Sequence, residues 1–207
     1  MSSTQRQRRK EARPREILAA ALHLFTTKGF AATRIEEVAQ AAGVTKGTVY
    51  LYFQSKEALF KTAVRETVLP NLQRVEEAAR QEGATRQRLR AALRQWISGM
   101  GANRGSLLKL MIAEAGNFPE LAQFFQEEIS DKMRQILMEV IASGITQNEF
   151  RNFDPAIVIR ILTSPILLTD IWHLTCPAMN ASLPDTETLI ETMLDVVFDG
   201  IALRQES

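Results

Sequence analysis

The stretch AAGVTKGTVYLYF, residues 41–53, decides the fold of this chain. Gly43 ends one apolar helical pattern, and Thr45 follows at the position of a helix N-cap, so a short second helix is predicted to begin directly after it. On a helical wheel of about 100° per residue, Val49 and Phe53 share one face of that helix. We expect this face to be buried.

The outward face of the short helix combines hydroxyl groups, an aliphatic side chain and a glycine. Tyr50 and Tyr52 flank Leu51, and Gly47 lets the backbone approach another molecule closely. A DNA major groove suits this combination, because its floor presents base edges and thymine methyl groups between two phosphate walls. An αα-corner with ordinary surface tyrosines is the alternative interpretation.

Helix signals continue on both sides of this stretch. Pro14 stands at a first-turn position of an upstream helix that ends at Gly29, and Thr33 and Glu36 have the spacing of a capping box for the next helix. Ser55 is predicted to cap the helix that follows the short one. A helix, a short turn with glycine and a second helix form the helix-turn-helix pattern.

The pattern of apolar residues also predicts helices in the remainder of the chain, and strand signals are absent. Pro70 and Pro165 fall inside long patterns, where a kink or break is expected. We predict an all-α protein of about nine helices, whose later patterns cover residues 57–81, 85–101, 105–117, 119–144, 154–175 and 184–203.

Charge is unevenly distributed along the 207 residues. The net charge is only +1, yet residues 1–60 contain 10 Lys and Arg against 5 Asp and Glu. Residues 6–15, RQRRKEARPR, contribute six of these basic side chains. Such an arm is either a solvated tail or a phosphate-binding segment.

Composition argues against several other classes of protein. Charged residues interrupt the longest apolar run, so no transmembrane span or membrane partner is expected, and no signal peptide is recognised. The lone Cys176 fits a reducing cytosol, and His23 and His173 form no metal-ligand spacing. No cofactor motif or catalytic set is found. An α-helical enzyme or carrier with structural N-terminal helices is the alternative.

Residues 17–60, ILAAALHLFTTKGFAATRIEEVAQAAGVTKGTVYLYFQSKEALF, closely resemble the DNA-binding domain of the TetR (tetracycline repressor) family. The resemblance implies a cytoplasmic regulator, most often a repressor, that binds a pseudo-palindromic operator as a homodimer. It also implies release by a small, largely hydrophobic effector. On this basis residues 1–12 are a basic arm, residues 13–56 the helix-turn-helix domain, and residues 57–207 the ligand-binding and dimerisation domain.

The resemblance also implies roles for individual side chains at the DNA. Relatives often carry His or Trp at one of the positions held here by Leu51 and Tyr52, so the resemblance does not define the base preference there. Phosphate contacts are implied for Thr33, Thr48, Tyr50, Tyr52 and Lys56, and base contacts for Thr45, Lys46 and Leu51, with Gly47 admitting the DNA backbone.

Residues 57–207 offer candidates for an effector site. Asp170 and His173 lie three apart in an otherwise apolar helix, and buried polar groups are costly unless paired. They are expected to pair with each other, with a partner subunit or with a ligand. The aromatic and methionine candidates, each of which has a packed core position as its alternative interpretation, are Trp96, Met100, Met111, Phe118 and Phe125.

The last two helical patterns are predicted to form the homodimer interface. The first of them is apolar nearly all round, which is too much for a helix with one solvated face. We expect it to contact its own bundle through Ile157, Ile161, Leu168 and Ile171, and another surface through Val158, Leu162 and Trp172.

Overall fold

The computed structural model describes the backbone of residues 3–100, 103–176, 178 and 185–201. Side chains are described from residue 13 onward within these ranges, except those of residues 100, 103–105, 186 and 201. The basic side chains of the predicted arm, residues 1–12, therefore lie outside the described residues, as does the Met100 side chain.

Within these ranges every regular element is helical, which confirms the predicted all-α fold. Ten α-helices and one π-helical segment occur where about nine helices were predicted, because the π-helical segment divides the pattern 119–144 into two. The elements are α1 (Ser3–Lys28), α2 (Ile35–Ala41), α3 (Lys46–Tyr52), α4 (Lys56–Ala79), α5 (Thr85–Met100), α6 (Asn103–Glu114), α7 (Pro119–Phe125), the π-helical segment (Gln126–Ser130), α8 (Asp131–Thr146), α9 (Pro155–Thr175) and α10 (Thr186–Ile201).

The predicted N-caps Thr45 and Ser55 are confirmed by their hydrogen bonds, and Asp154 caps α9 in the same way. Side-chain oxygens of Thr45, Ser55 and Asp154 accept backbone N–H groups in the first turns of α3, α4 and α9 at 3.2, 3.1 and 2.9 Å. Each bond satisfies a donor that has no partner within its own helix. The short helix α3 and the longer helices α4 and α9 thus have defined starting points.

Two predicted helix starts differ from the structure. α1 already begins at Ser3, so Pro14 lies inside it. The preceding residues are mostly Gln, Arg, Lys, Glu and Ala, which favour helix strongly enough to extend it past the proline. α2 begins at Ile35 rather than after Thr33, and the Glu37 carboxylate accepts the Arg34 N–H at 3.1 Å.

The first of two compact units comprises Met1–Leu69 and Lys109–Phe125. Phe25, Phe30 and Phe60 form its core, with ring centroids 5.4 to 5.5 Å apart. Because Phe60 belongs to α4, this unit extends beyond the predicted bound at residue 56.

The second compact unit comprises Pro70–Leu108 and Gln126–Ser207, and in it α8 packs on α5 and α9. α10 packs on α9 and α5. Arg90 of α5 forms ion pairs with Asp195 and Glu191 of α10 at 2.6 and 3.4 Å, and Arg94 pairs with Glu191 at 2.6 Å. The four-residue spacing aligns these charges on one face of each helix.

The orientation of α9 is the reverse of the predicted one for most of the residues named, although Trp172 is exposed as predicted. Val158 and Leu162 are buried, whereas Ile157, Ile161 and Leu168 are 59%, 50% and 54% exposed. Periodicity identified two apolar faces, but only the packing of α8 and α10 decides which face is covered. By length and composition alone, α9 is also long and apolar enough to cross a membrane.

Candidate DNA-binding surface

The turn between α2 and α3 is built from local signals. Gly43 has φ of +64°, a conformation that suits glycine and lets the chain reverse within a few residues. Thr45 then caps α3, and its hydroxyl lies 2.9 Å from the hydroxyl of Thr48. These two candidate contact residues are therefore held together at the start of the helix.

α3 presents the two faces that its sequence predicts. Val49 and Phe53 are buried against the first unit, with 1% and 8% of their surface exposed. Leu51 is 74% exposed and Tyr50 46% exposed, while Tyr52 is half-buried. The outward face of this short, capped helix thus presents Leu51 between two tyrosines, as its sequence predicts.

Lys46 is held by a partner on the neighbouring helix. Its ammonium forms an ion pair with the Glu36 carboxylate at 2.6 Å and lies 5.8 Å from the centre of the Tyr50 ring. The hydrogen bond to Glu36 raises the pKa of Lys46, and the same bond lowers the pKa of Glu36. Sequence analysis assigned Glu36 only to a capping box and missed this contact.

Thr33 is buried and Lys56 is half-buried, and both make hydrogen bonds within the protein, so the phosphate contacts predicted for them stay predictions. Thr33 is 1% exposed, and its hydroxyl donates to the Gly29 carbonyl at 2.7 Å. The Lys56 ammonium donates to the carbonyls of Phe30, Ala31 and Thr33 at 2.9, 3.3 and 3.2 Å. An ammonium has three N–H donors, so those of Lys56 are committed within the protein.

Glu114, the last residue of α6, contacts the turn between α1 and α2. It is buried, and its carboxylate accepts the Ala31 N–H at 3.0 Å. Gly29, with φ of +94°, lies close enough that a Cβ there would be 3.0 Å from the same carboxylate. The connection between α1 and α2 is therefore fixed by Lys56 and Glu114, which are remote from it in sequence.

The predicted effector residues are distributed over both units. Met111 is buried, and Phe118 packs edge-on against Phe30 with centroids 4.8 Å apart, which assigns both to the core of the first unit. Phe125, half-buried, ends that unit. The effector role of these three residues stays a prediction.

The other effector candidates belong to the second unit. Asp170 is buried, whereas Trp96 and His173 are half-buried. Sequence analysis missed Asn71, which is fully buried and donates to the Trp96 carbonyl at 3.1 Å. Within the described residues, no cluster of three or more His, Cys, Asp or Glu side chains is placed to bind a metal ion.

Two family models match the chain. One, described as bacterial regulatory proteins of the tetR family, matches residues 17–63. The other, described as a tetracyclin repressor-like C-terminal domain, matches residues 79–197 and so covers more than half of the chain. The chain belongs to the TetR family. As a TetR-family protein it is a ligand-responsive, DNA-binding transcriptional regulator, in agreement with the predicted class.

Curated relatives of this TetR-family regulator align over nearly its whole length. The fatty acid metabolism regulator protein of Bacillus subtilis is 23% identical, with 93% of this chain and 98% of the relative covered. The transcriptional repressor KstR2 of Rhodococcus jostii is 24% identical, with 93% of each chain covered. These relatives are regulators, so they do not favour the alternative of an enzyme or carrier.

Solved structures share the fold of this TetR-family regulator. A transcriptional regulator from Saccharomonospora viridis in complex with choline has a TM-score of 0.78 at 22% identity, covering 94% of this chain and 100% of that chain. FadR from Bacillus subtilis in complex with stearoyl-CoA has a TM-score of 0.66 at 23% identity, covering 90% of this chain and 98% of that chain.

Proposed function

We propose that this regulator is a repressor that binds a pseudo-palindromic operator as a homodimer and leaves it when a small, largely hydrophobic effector binds. The observation that carries the DNA part is the exposed Leu51 at the centre of the outward face of α3. Burial of this side chain against thymine methyl groups would remove its apolar surface from water.

The contacts around Leu51 are assigned by their chemistry and exposure. Lys46 donates to base edges, while the hydroxyls of Thr48, Tyr50 and Tyr52 reach the phosphate walls. Thr45 lies at the helix start beside Thr48, where its hydroxyl reaches a base edge. Gly47 leaves room for the DNA backbone, since a Cβ there would have only Thr45 Oγ1, at 3.9 Å, within 4 Å.

The homodimer is proposed from an apolar stripe on α9, formed by Ile157, Ile161, Leu168 and Trp172. These side chains are 37% to 59% exposed, and their spacing places them within about 60° of one another around the helix. An exposed face of a helix with several large apolar side chains is typical of an interface. A second copy of the same helix, related by two-fold symmetry, would cover it.

The effector site is proposed in the second unit, near Trp96, Asp170 and His173. A mostly apolar site with few polar groups suits small-molecule binding, and two proteins of similar fold were solved with choline and with stearoyl-CoA. Asp170→Asn should raise the effector concentration that releases DNA while leaving operator affinity intact. Release at the wild-type concentration in a DNA-release titration would exclude Asp170 from the site.

The DNA part is tested by selecting bound sequences from a random double-stranded library. We expect the wild-type chain to enrich an inverted repeat, with half-sites roughly one helical turn apart or a multiple of it. Leu51→Ala should weaken binding to that operator by about 1 kcal/mol, roughly fivefold. Ile112→Ala is the matched control, because Ile112 is 63% exposed on α6. Equal affinities of the two variants would contradict the assignment of Leu51.

A further inference from the structure

Glu36 introduces a negative charge beside the proposed DNA-binding surface. Its side chain is 58% exposed, and its carboxylate lies 2.6 Å from the ammonium of Lys46. A carboxylate at this place repels the phosphates of DNA, so it weakens the sequence-independent part of binding. Affinity for phosphate therefore does not explain why a carboxylate stands at this position.

The ion pair with Glu36 restricts the position of the Lys46 ammonium. A lysine ammonium is a compact charge on a flexible four-carbon chain, and without a partner it is attracted to the nearest phosphate. Here the ammonium is held between the Glu36 carboxylate and the Tyr50 ring, which lies 5.8 Å away. Only one of its three N–H donors is needed for Glu36, which leaves two for DNA.

We propose that Glu36 is a positioning residue that holds Lys46 over the base edges and away from the phosphates, and so determines base specificity. This inference rests on the proposed DNA-binding function. Lysine donors pair with the O6 and N7 acceptors of guanine in the major groove. The operator is therefore expected to carry guanine at the position that Lys46 contacts in each half-site.

The test compares base preference with sequence-independent affinity in Glu36→Gln. Library selection should show a weaker guanine preference at one position of each half-site. Fluorescence anisotropy on scrambled DNA should show tighter binding, by up to about tenfold, and a plot of log affinity against log salt that is steeper by about 0.9, as for one added phosphate contact. Thermal unfolding of the variant checks that the fold is unchanged.

Glu37→Gln is the matched control, since it makes the same change of charge one residue further along α2. The Glu37 carboxylate pairs with Lys28, at 2.5 Å, and not with a residue of α3. We expect Glu37→Gln to leave the guanine preference intact. In a Lys46→Met background, Glu36→Gln should likewise no longer change base preference.

Three results would overturn the inference. The first is an unchanged guanine preference in Glu36→Gln, which would mean that the carboxylate acts through its charge alone. The second is an equal change of preference in the Lys46→Met background, which would mean that Glu36 acts independently of Lys46. If the wild-type chain enriched no sequence at all, the proposed function itself would fail, and the inference with it.

Discussion

At the scale of single residues, the backbone conformation of Gly47 does not require a glycine. It lies in the first turn of α3, where a Cβ would have only Thr45 Oγ1 within 4 Å, at 3.9 Å. An exposed helical glycine is less stable than alanine by up to about 1 kcal/mol. The proposed close approach of a DNA backbone would account for this glycine, since a methyl group there would obstruct that approach.

Gly47→Ala should therefore separate stability from DNA binding. We expect unchanged or higher stability, by at most about 1 kcal/mol, because alanine favours helix. We expect operator affinity to fall several-fold, because the added methyl group keeps the DNA backbone at a distance. Chemical denaturation and anisotropy measure the two quantities.

Gly116→Ala is the control for this experiment, because Gly116 also has open space around its Cβ position but lies outside α3. It should bind the operator with wild-type affinity. A Gly47→Ala variant that bound equally well would show that the backbone of α3 does not approach DNA closely at this position.

At the scale of helices, the start of α2 depends on the charge of Glu37. This carboxylate accepts hydrogen bonds from the Lys28 ammonium at 2.5 Å and from the Arg34 N–H at 3.1 Å. The bond from Lys28, followed by that from the Arg34 N–H, lowers the pKa of Glu37 below its ordinary value of 4.5. Folding is thus linked to the ionisation of this group.

The sign of this linkage predicts how stability depends on pH. Because the folded-state pKa of Glu37 is depressed, its contribution is fully present above the ordinary value of 4.5 and is lost as pH falls through the lower folded value. We expect the stability difference between wild type and Glu37→Gln to shrink as the pH is lowered below this value. Urea unfolding midpoints across the acid range measure it, and a constant difference at every pH would rule out a contribution from ionisation.

At the scale of the whole molecule, the stripe on α9 offers an extended contact for a second copy. Ile157 and Trp172 at its ends are fifteen residues apart, which corresponds to about 22 Å along the helix. The opposite face of α9 is buried by its own unit through Val158, Leu162 and Ile166. The helix therefore has one face packed in its own core and one face that is exposed, where the proposed partner would bind.

Ile161→Lys should dissociate the proposed dimer. Ile161 is 50% exposed, so a lysine there is tolerated in the monomer, but two-fold symmetry would place a pair of charges in the interface. Sedimentation should show half the wild-type mass, and operator affinity should fall because two linked half-site contacts become independent.

The control for this variant is Ile112→Lys, which introduces the same charge at a 63% exposed position on α6. It should keep the wild-type mass. If Ile161→Lys remained a dimer at micromolar concentration, the interface would not lie on this stripe of α9.

The sequence by itself determined the all-α fold and the helix-turn-helix. The signals for both are local, because helical period, caps such as Thr45 and Ser55, and the left-handed Gly43 each act over a few residues. The buried Val49 and Phe53 and the exposed Leu51 of α3 followed from the same period. A family resemblance over residues 17–60 added the class of regulator.

Only the tertiary structure decided which polar side chains pair with distant parts of the chain. Lys56 contacts carbonyls up to 26 residues away, and Glu114 contacts Ala31 across 83 residues. Spacing within one helix cannot reveal such partners. Likewise, the pairing of Lys46 with Glu36 and the exposed face of α9 depend on which helices pack together, because periodicity defines the faces of a helix but not the neighbour that covers each face.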